Sequence, residues 1–359
     1  MNSMNEYIIP SVAELKEKTE HGNHKFEIVS TFAGGGGSSL GYRMAGGKVL
    51  AIVEFIDEAC KTYRANWQST KIIQKDIRQV TGQEILDAIG KQKGELDILD
   101  GSPPCSAFST AGSREKGWGK TKKYSDSAQA NVEDLFFEYI RILRDVQPKV
   151  FVAENVSGLV KGSAKGYFNH IMRELQASGY VVTCKVLDAK HLGVPQSRNR
   201  TIFVGIRQDL WEDKYKGNTH PKPFDYMVTL EQAFKGLQFT DQDKKETDLS
   251  RFKVYNLLTT LKAGEQHSKA FTLVKASPKS QSPCIKATTG NIGARESYHW
   301  NNRAFTVDEI KRIMSVPDDF ILTGTYQQKV ERMGRMVAPF MMREVAKQIL
   351  SLGVLNANS

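Results

Sequence analysis

Residues 96–109 read LDILDGSPPCSAFS, from Leu96 to Ser109. The apolar run Leu96 to Leu99 has the length of a buried strand and stops at Asp100 and Gly101. Pro103 and Pro104 then fix their own φ angles and restrict the residues before them, so the strand gives way to a stiff turn that presents Cys105. A thiol held at a strand end has the rigidity a nucleophile needs. A small buried side chain is the commoner fate of a free cysteine, and the turn alone leaves both readings open.

The rest of the chain sets the context for that turn. Its 359 residues suit one large α/β domain with a smaller companion. Cys60, Cys105, Cys184 and Cys284 form no C-x-x-C pair and the histidines show no zinc spacing, so a reduced protein without a metal centre is expected. No apolar run is long enough to span a bilayer, and the acidic N-terminus has no signal-like core; a soluble, cytoplasmic protein with no membrane partner is expected. Fifty Lys and Arg against forty Asp and Glu leave a net charge of +10, which favours a polyanionic partner.

Upstream of the turn, residues 1–25 are polar and read as an extension. Phe26 to Phe32 follows as a strand, then AGGGGSSLG at 33–41, then a helix through Leu40 to Ala45. Glycines between a strand and a helix let backbone N–H groups approach a ligand closely. No G-x-G-x-x-G register exists there, which argues against a pyrophosphate and for a smaller ribose-bearing ligand. A second strand, Val49 to Val53, delivers Glu54 at the distance where α/β nucleotide sites place a ribose-binding carboxylate. A third strand region, Ile72 to Ile77, carries Asp76.

Downstream, residues 111–124 mix glycines with Arg114, Lys116, Lys120, Lys122 and Lys123, a composition suited to a loop that closes over a phosphate backbone. Apolar residues from Val132 to Val146 recur at helical spacing, and a fifth strand, Val150 to Ala153, ends in Glu154. In a parallel sheet with crossover helices, the ends carrying Cys105 and Glu154 share one edge. Phe168 to Leu175 reads as another helix. Strands at Tyr180 to Leu187 and Thr201 to Ile206 flank Gln196, Arg198 and Arg200, which as alternate residues share a face. From about residue 208 the strand–helix alternation lapses: residues 241–248 are polar, and Arg251 to Arg295 holds eight basic residues against the single acid Glu265. Helical patterning resumes at Thr306 and ends in a helix from Val337 to Leu350.

Four of these motifs, taken in order, resemble the cytosine-5 DNA methyltransferase family over about Phe26 to Ile349. They are FAGGGG (32–37), PPC (103–105), ENV (154–156) and QSRNR (196–200), followed by RAFTVDEIKRIMSVPDDF (303–320). The resemblance implies a Rossmann-like α/β methyltransferase domain with a mostly parallel sheet and a smaller, loop-rich target-recognition domain. It divides the chain into an extension (1–25), a catalytic and cofactor-binding domain (26–207), a target-recognition domain (208–302) and a C-terminal segment returning to the catalytic domain (303–359). S-adenosylmethionine is the implied cofactor, held by Phe32, Gly34, Gly36, Gly37, Glu54 on the ribose, Asp76 and Ile77 near the adenine, Pro104 and Val337. Cys105, Glu154, Arg198 and Arg200 are the implied catalytic residues. The sequence departs from the family pattern at Ser106, where Gln is usual, at Cys284, where Thr is frequent, and at Arg335, where G-N-x-V has Asn.

The implied chemistry explains these residue types. Carbon 5 of cytosine is a poor nucleophile until a thiolate adds at carbon 6, and a proton or hydrogen bond at ring nitrogen 3 assists that addition. Inside a duplex those atoms are out of reach, so the base must leave the stack. The implied partner is double-stranded DNA, together with a restriction endonuclease of the same site; a monomer is expected. A tRNA-methylating branch and an inactive DNA-binding relative are the alternatives. The insert at 208–302 favours DNA, and retention of Cys105, Glu154 and Arg200 favours activity.

Overall fold

The structure is a computed structural model and describes residues 6–104, 134–161, 164–294 and 296–356, with the backbone alone of two short paired strands at 122–123 and 128–129. Cys105, Ser106 and the basic loop at 111–121 lie outside the described residues.

Runs of buried residues build a seven-stranded sheet. Its strands are β1 (Phe26–Thr31), β2 (Gly47–Val53), β3 (Lys71–Ile73), β4 (Ile98–Gly101), β7 (Val150–Val156), β8 (Tyr180–Asp188) and β9 (Asn199–Arg207), with the short pair β5 (Lys122–Lys123) and β6 (Ala128–Gln129) apart from it. The order is β3-β2-β1-β4-β7-β9-β8. β3 to β7 in that order run parallel, while β9 is antiparallel to both β7 and β8. The central strands are buried on both faces, which is why β1, β4 and β7 read as near-continuous apolar runs.

One face is covered by α1 (Val12–Glu20), α2 (Gly37–Met44), α3 (Asp57–Asn66) and the C-terminal helices α10 (Val307–Met314), α11 (Tyr326–Arg335) and α12 (Pro339–Ser351). The other face is covered by α4 (Gly82–Ile89), α5 (Leu135–Val146) and α6 (Lys165–Ala177). Polar groups at the helix starts satisfy orphan N–H groups: Thr81 caps α4, and Thr306 and Thr325 form reciprocal capping boxes with Glu309 and Gln328. The C-terminal segment is part of the main core. Gly41 of α2 lies so close to α12 that a Cβ there would stand 2.5 Å from the Pro339 carbonyl and 2.6 Å from Met342 Cβ.

The N-terminal stretch that reads as an extension is instead tied down. Ser11 and Glu14 form a capping box, Val12 and Leu15 are buried, and Asp319 accepts hydrogen bonds from the Val12 and Ala13 amides. Its two buried apolar residues are too few to stand out in a polar sequence, yet they dock on a core completed from the far end of the chain.

Residues 208–302 carry short helices, α7 (Leu230–Ala233), α8 (Asp241–Thr247) and α9 (Lys253–Thr259), and the two-residue strands β10 (Val274–Lys275) and β11 (Ser297–Tyr298). The polar run at 241–248 forms α8 because Thr240 and Asp243 cap it reciprocally. Leu249, Val254, Leu258, Leu273 and Tyr298 give this region a small core of its own. Among the described residues, no helix is long and apolar enough to cross a membrane.

Candidate active site

The parallel strands end together, and their ends line a cleft of about 610 Å³. Phe32, Gly34, Gly37, Glu54, Ile77, Pro104, Glu154, Arg198, Arg200 and Val337 all face it. Ten residues singled out from sequence thus meet in one place although they come from seven separate stretches of chain. Gly36 and Asp76 do not line the cleft. Gly36 is the N-cap of α2 at φ 88°, and Asp76 caps a 3₁₀ turn at 77–79 while its other oxygen lies 3.2 Å from Arg78 Nη1.

The glycine turn is shaped by positive φ angles at Gly34 (52°) and Gly36 (88°), conformations that side chains rarely adopt. Phe32 also sits at φ 52°, an uncommon geometry for an aromatic residue, so local strain is spent on the way into the turn. Glu54 fixes the turn from the next strand end. Its Oε2 accepts the Gly34 amide at 2.7 Å, and Oε1 accepts the Phe55 and Ile56 amides at 2.8 and 2.9 Å. Burial raises the Glu54 carboxyl above its ordinary pKa, partly offset by these three N–H groups and by Arg332.

Across the cleft, β4 and β7 pair with Gly101 opposite Ala153, which sets Pro103 and Pro104 beside Glu154 and Asn155. Asn155 clamps the turn directly: its Nδ2 donates to the Pro103 carbonyl at 3.2 Å. The residue that immediately follows the clamped prolines is Cys105. Arg200 Nε lies 2.6 Å from Glu154 Oε1, on the strand antiparallel to β7. Both side chains are nearly buried, so this ion pair is screened far less than a surface pair.

Arg198 is used differently from its neighbour. It is 1% exposed, and its guanidinium donates to the carbonyls of Ile285 (2.9 Å), Gly334 (2.9 Å) and Met336 (2.8 Å). Burial first, and Arg200 beside it second, lower its pKa to about 10, which leaves it charged at neutral pH. Gln196 acts alongside, accepting the Ile285 amide at 3.0 Å. The Q-x-R-x-R stretch therefore joins three parts of the chain at the cleft wall. Lys75, Lys286 and Arg335 add positive charge to the lining, and Cys284 lies 3.4 Å from Arg198 Nη1.

Two participants were not evident from sequence. Asn155 enters the sequence reading only as the middle of the ENV motif, with no role of its own. Asp100 reads as a strand end, yet it is fully buried, with its carboxyl lifted to about 7 by burial and by the charge of Glu154, against opposing hydroxyl hydrogen bonds. An acid flanked by Leu99 and Gly101 inside an apolar strand was the available signal.

The residues present fit a methyl donor bearing an adenosine. The Glu54 carboxylate stands at the end of β2, apolar surface from Phe32, Phe55 and Ile77 lines the same wall, and a Cβ at Gly34 would meet nothing within 4 Å, so the turn opens on free space.

Residues 26–351 match the family of C-5 cytosine-specific DNA methylases. The chain is similar to the Type II methyltransferase M1.HphI of Haemophilus parahaemolyticus, with 29% identity over 338 residues, 90% of this chain and 86% of that one. It is also similar to M.NgoPII of Neisseria gonorrhoeae, with 31% identity covering 82% of this chain and 86% of the relative. Among solved structures, a candidate DNA modification methyltransferase encoded within an E. coli prophage has the same fold, with a TM-score of 0.72 at 20% identity over 93% of this chain and 100% of that one.

Proposed function

The chain belongs to the C-5 cytosine-specific DNA methylase family, and on that premise we propose how its residues divide the work of the reaction. The enzyme methylates carbon 5 of cytosine in DNA and uses S-adenosylmethionine, which supplies the methyl group when bound. Glu54 accepts the ribose hydroxyls, Gly34 and Gly37 give the backbone approach, and Phe32, Ile77, Pro104 and Val337 enclose the donor. Cys105 adds to carbon 6 of the cytosine as a thiolate, forming the sulfur–carbon bond and moving electron density toward carbon 5. Glu154 meets ring nitrogen 3 with a proton or strong hydrogen bond, and Arg200 fixes that carboxyl and reaches for the base carbonyl oxygen. Arg198 is a positioning residue, because its Nη1 and Nη2 groups already donate to backbone carbonyls. Asp76 orders the turn that carries Ile77.

The observation that carries this division is the clamp from Asn155 to Pro103, which brings the acid motif and the proline turn before Cys105 to one cleft floor. Duplex DNA carrying 5-fluorocytosine at the target tests it, since fluorine cannot leave carbon 5 as a proton does. A denaturant-resistant adduct is expected with wild-type protein and methyl donor, and none with Cys105→Ser. An adduct of equal yield with Cys105→Ser would remove Cys105 from its role.

Residues 208–302 read the target site, and the cationic lining of the cleft meets the phosphates. The names of the relatives as Type II methyltransferases support a restriction-modification setting, with an endonuclease for the same site and action on the cell's own DNA. A monomer suffices, since one chain supplies both the cleft and the target-reading region.

A further inference from the structure

Among the described residues, the large apolar side chain most open to solvent is Phe271, at 75% exposed. Single exposed apolar residues are ordinary on a protein surface. This one is set apart by a backbone that is held on both sides of it. Residues 264–275 form a hairpin: the Gly264 amide donates to the Lys275 carbonyl at 2.7 Å, the Lys275 amide to Glu265 at 2.9 Å, and the His267 amide to Leu273 at 2.9 Å. Within its tip the Leu273 amide donates to the Ala270 carbonyl at 2.7 Å, and His267 Nδ1 accepts the Lys269 and Ala270 amides. Gln266 Nε2 donates to the carbonyl of Phe271 itself. Ala270 and Leu273 are buried in the small core of this region. The neighbours are anchored while the ring stands out, and a side chain displayed on a fixed turn is preorganised for a partner.

The strand pairing gives the hairpin a direction. β10 and β11 run parallel, with Val274 opposite Ser297 and the Val274 amide donating to the Glu296 carbonyl at 3.2 Å. The residues that precede the two strands therefore lie at one end of the pair. Glu296, at that end, stands 3.1 Å from Lys286 Nζ and accepts the Thr288 hydroxyl at 2.9 Å, and Lys286 and Thr288 both line the cleft. Phe271 precedes Val274 by three residues, about 10 Å of extended chain, so the hairpin tip lies on the cleft side. Charge selects the partner. Lys262 and Lys269 are exposed on the hairpin, and between Arg251 and Arg295 eight basic residues stand against the single acid Glu265. A duplex satisfies both features, since its phosphates take the cations and its base planes take the ring.

We propose that Phe271 is a wedge, whose ring enters between two neighbouring base pairs beside the target and unstacks that step. The duplex is kinked there, by about 20–90° for apolar wedges of this kind, and the cytosine leaves a stack that is already loosened. Phe271 touches no reacting atom and is a positioning residue. The inference rests on the reading that residues 208–302 meet the duplex.

The probe is a duplex carrying the protein's own methylation site, located by bisulfite sequencing of DNA from cells that express it. Phe271→Ala takes away no buried packing and should fold as wild type does. It should bind the duplex about tenfold more weakly, the loss expected for one aromatic stacked on bases. Energy transfer between dyes on the two duplex ends should report a bend with wild type and none with Phe271→Ala. Phe271→Trp should restore affinity and bend, and its indole emission, taken as the difference from wild type, should be quenched when duplex is added. Phe271→Ala binding within about twofold of wild type, a bend that survives the substitution, or an indole that duplex leaves bright overturns the wedge. Lys262→Gln and Lys269→Gln, made together, separate the two readings. Weaker binding with a flatter salt dependence, beside a bright indole in Phe271→Trp, sinks only the insertion and leaves the hairpin on the phosphates. Binding unmoved by any of these substitutions takes the hairpin off the DNA, and with it this part of the target-reading assignment.

Discussion

Arg200 Nε stands 2.6 Å from Glu154 Oε1, and the two residues belong to strands that run in opposite directions. A parallel neighbour would set strand end beside strand end. The antiparallel return of β9 instead sets its first residues beside the last residues of β7, so a basic side chain leaving a loop meets an acid leaving a strand. The order β7-β9-β8 thereby gives the cleft its acid and the partner that orients it.

Glu154→Gln keeps the size of the side chain and its hydrogen bond to the base but removes the transferable proton. Methyl transfer should slow by about 10²- to 10⁴-fold, the usual contribution of general acid catalysis. Affinity for cognate duplex should stay within about threefold, a difference below 1 kcal/mol. Single-turnover rates and equilibrium binding, measured on the same duplex, check both halves.

Glu54 holds three backbone amides, so its loss reaches beyond any ribose contact. Glu54→Ala should weaken S-adenosylmethionine binding by more than tenfold, because an acceptor and the turn geometry go together. Glu54→Gln retains one acceptor oxygen and should lose less. Calorimetry that ranks the two variants in the other order would mean that charge alone, and not the hold on Gly34, matters there.

Arg198→Lys tests the seam between segments. A lysine ammonium cannot reproduce a planar fork on the carbonyls of Ile285, Gly334 and Met336. Urea denaturation should show a loss of about 2–4 kcal/mol, the range for orphaned buried partners of a charged group. Unchanged stability with reduced transfer would return Arg198 to the reacting groups.

Stability should also depend on pH through Asp100. Its carboxyl ionises near 4 in an unfolded chain and at about 7 in the folded one. The folded state then binds the extra proton, so this stabilisation is present at acid pH and is lost as pH rises through about 7. In Asp100→Asn the fall in unfolding free energy between pH 5 and 8, taken as about the span of this titration, should be smaller than in wild type. Parallel curves for the two proteins would show that Asp100 does not carry the titration.

The parts of the site that were legible in sequence are those where local rules decide geometry. An apolar run followed by glycines or prolines must become a strand and a turn, and parallel strands must end on one edge, so Gly34, Glu54, Pro104 and Glu154 could be brought together on paper. Arg198 was misleading because its partners are 87 and 138 residues away, and nothing near it in sequence reveals that they are carbonyls. Asp76 is engaged close by in sequence, as the cap of the 3₁₀ turn and the partner of Arg78. The burial of α1 was hidden likewise, since Asp319 and the surface it docks on come more than 300 residues later.

The close approach of Gly41 to Pro339 also bears on when the protein becomes an enzyme. The helix that follows the glycine turn is made well before the wall it leans on, because Pro339, with Val337 of the cleft at its edge, lies about 300 residues further along the chain. A nascent chain therefore carries every reacting group long before it has a finished donor site. Methylation has to wait for that later segment, and a chain that stops before it cannot mark DNA in its place.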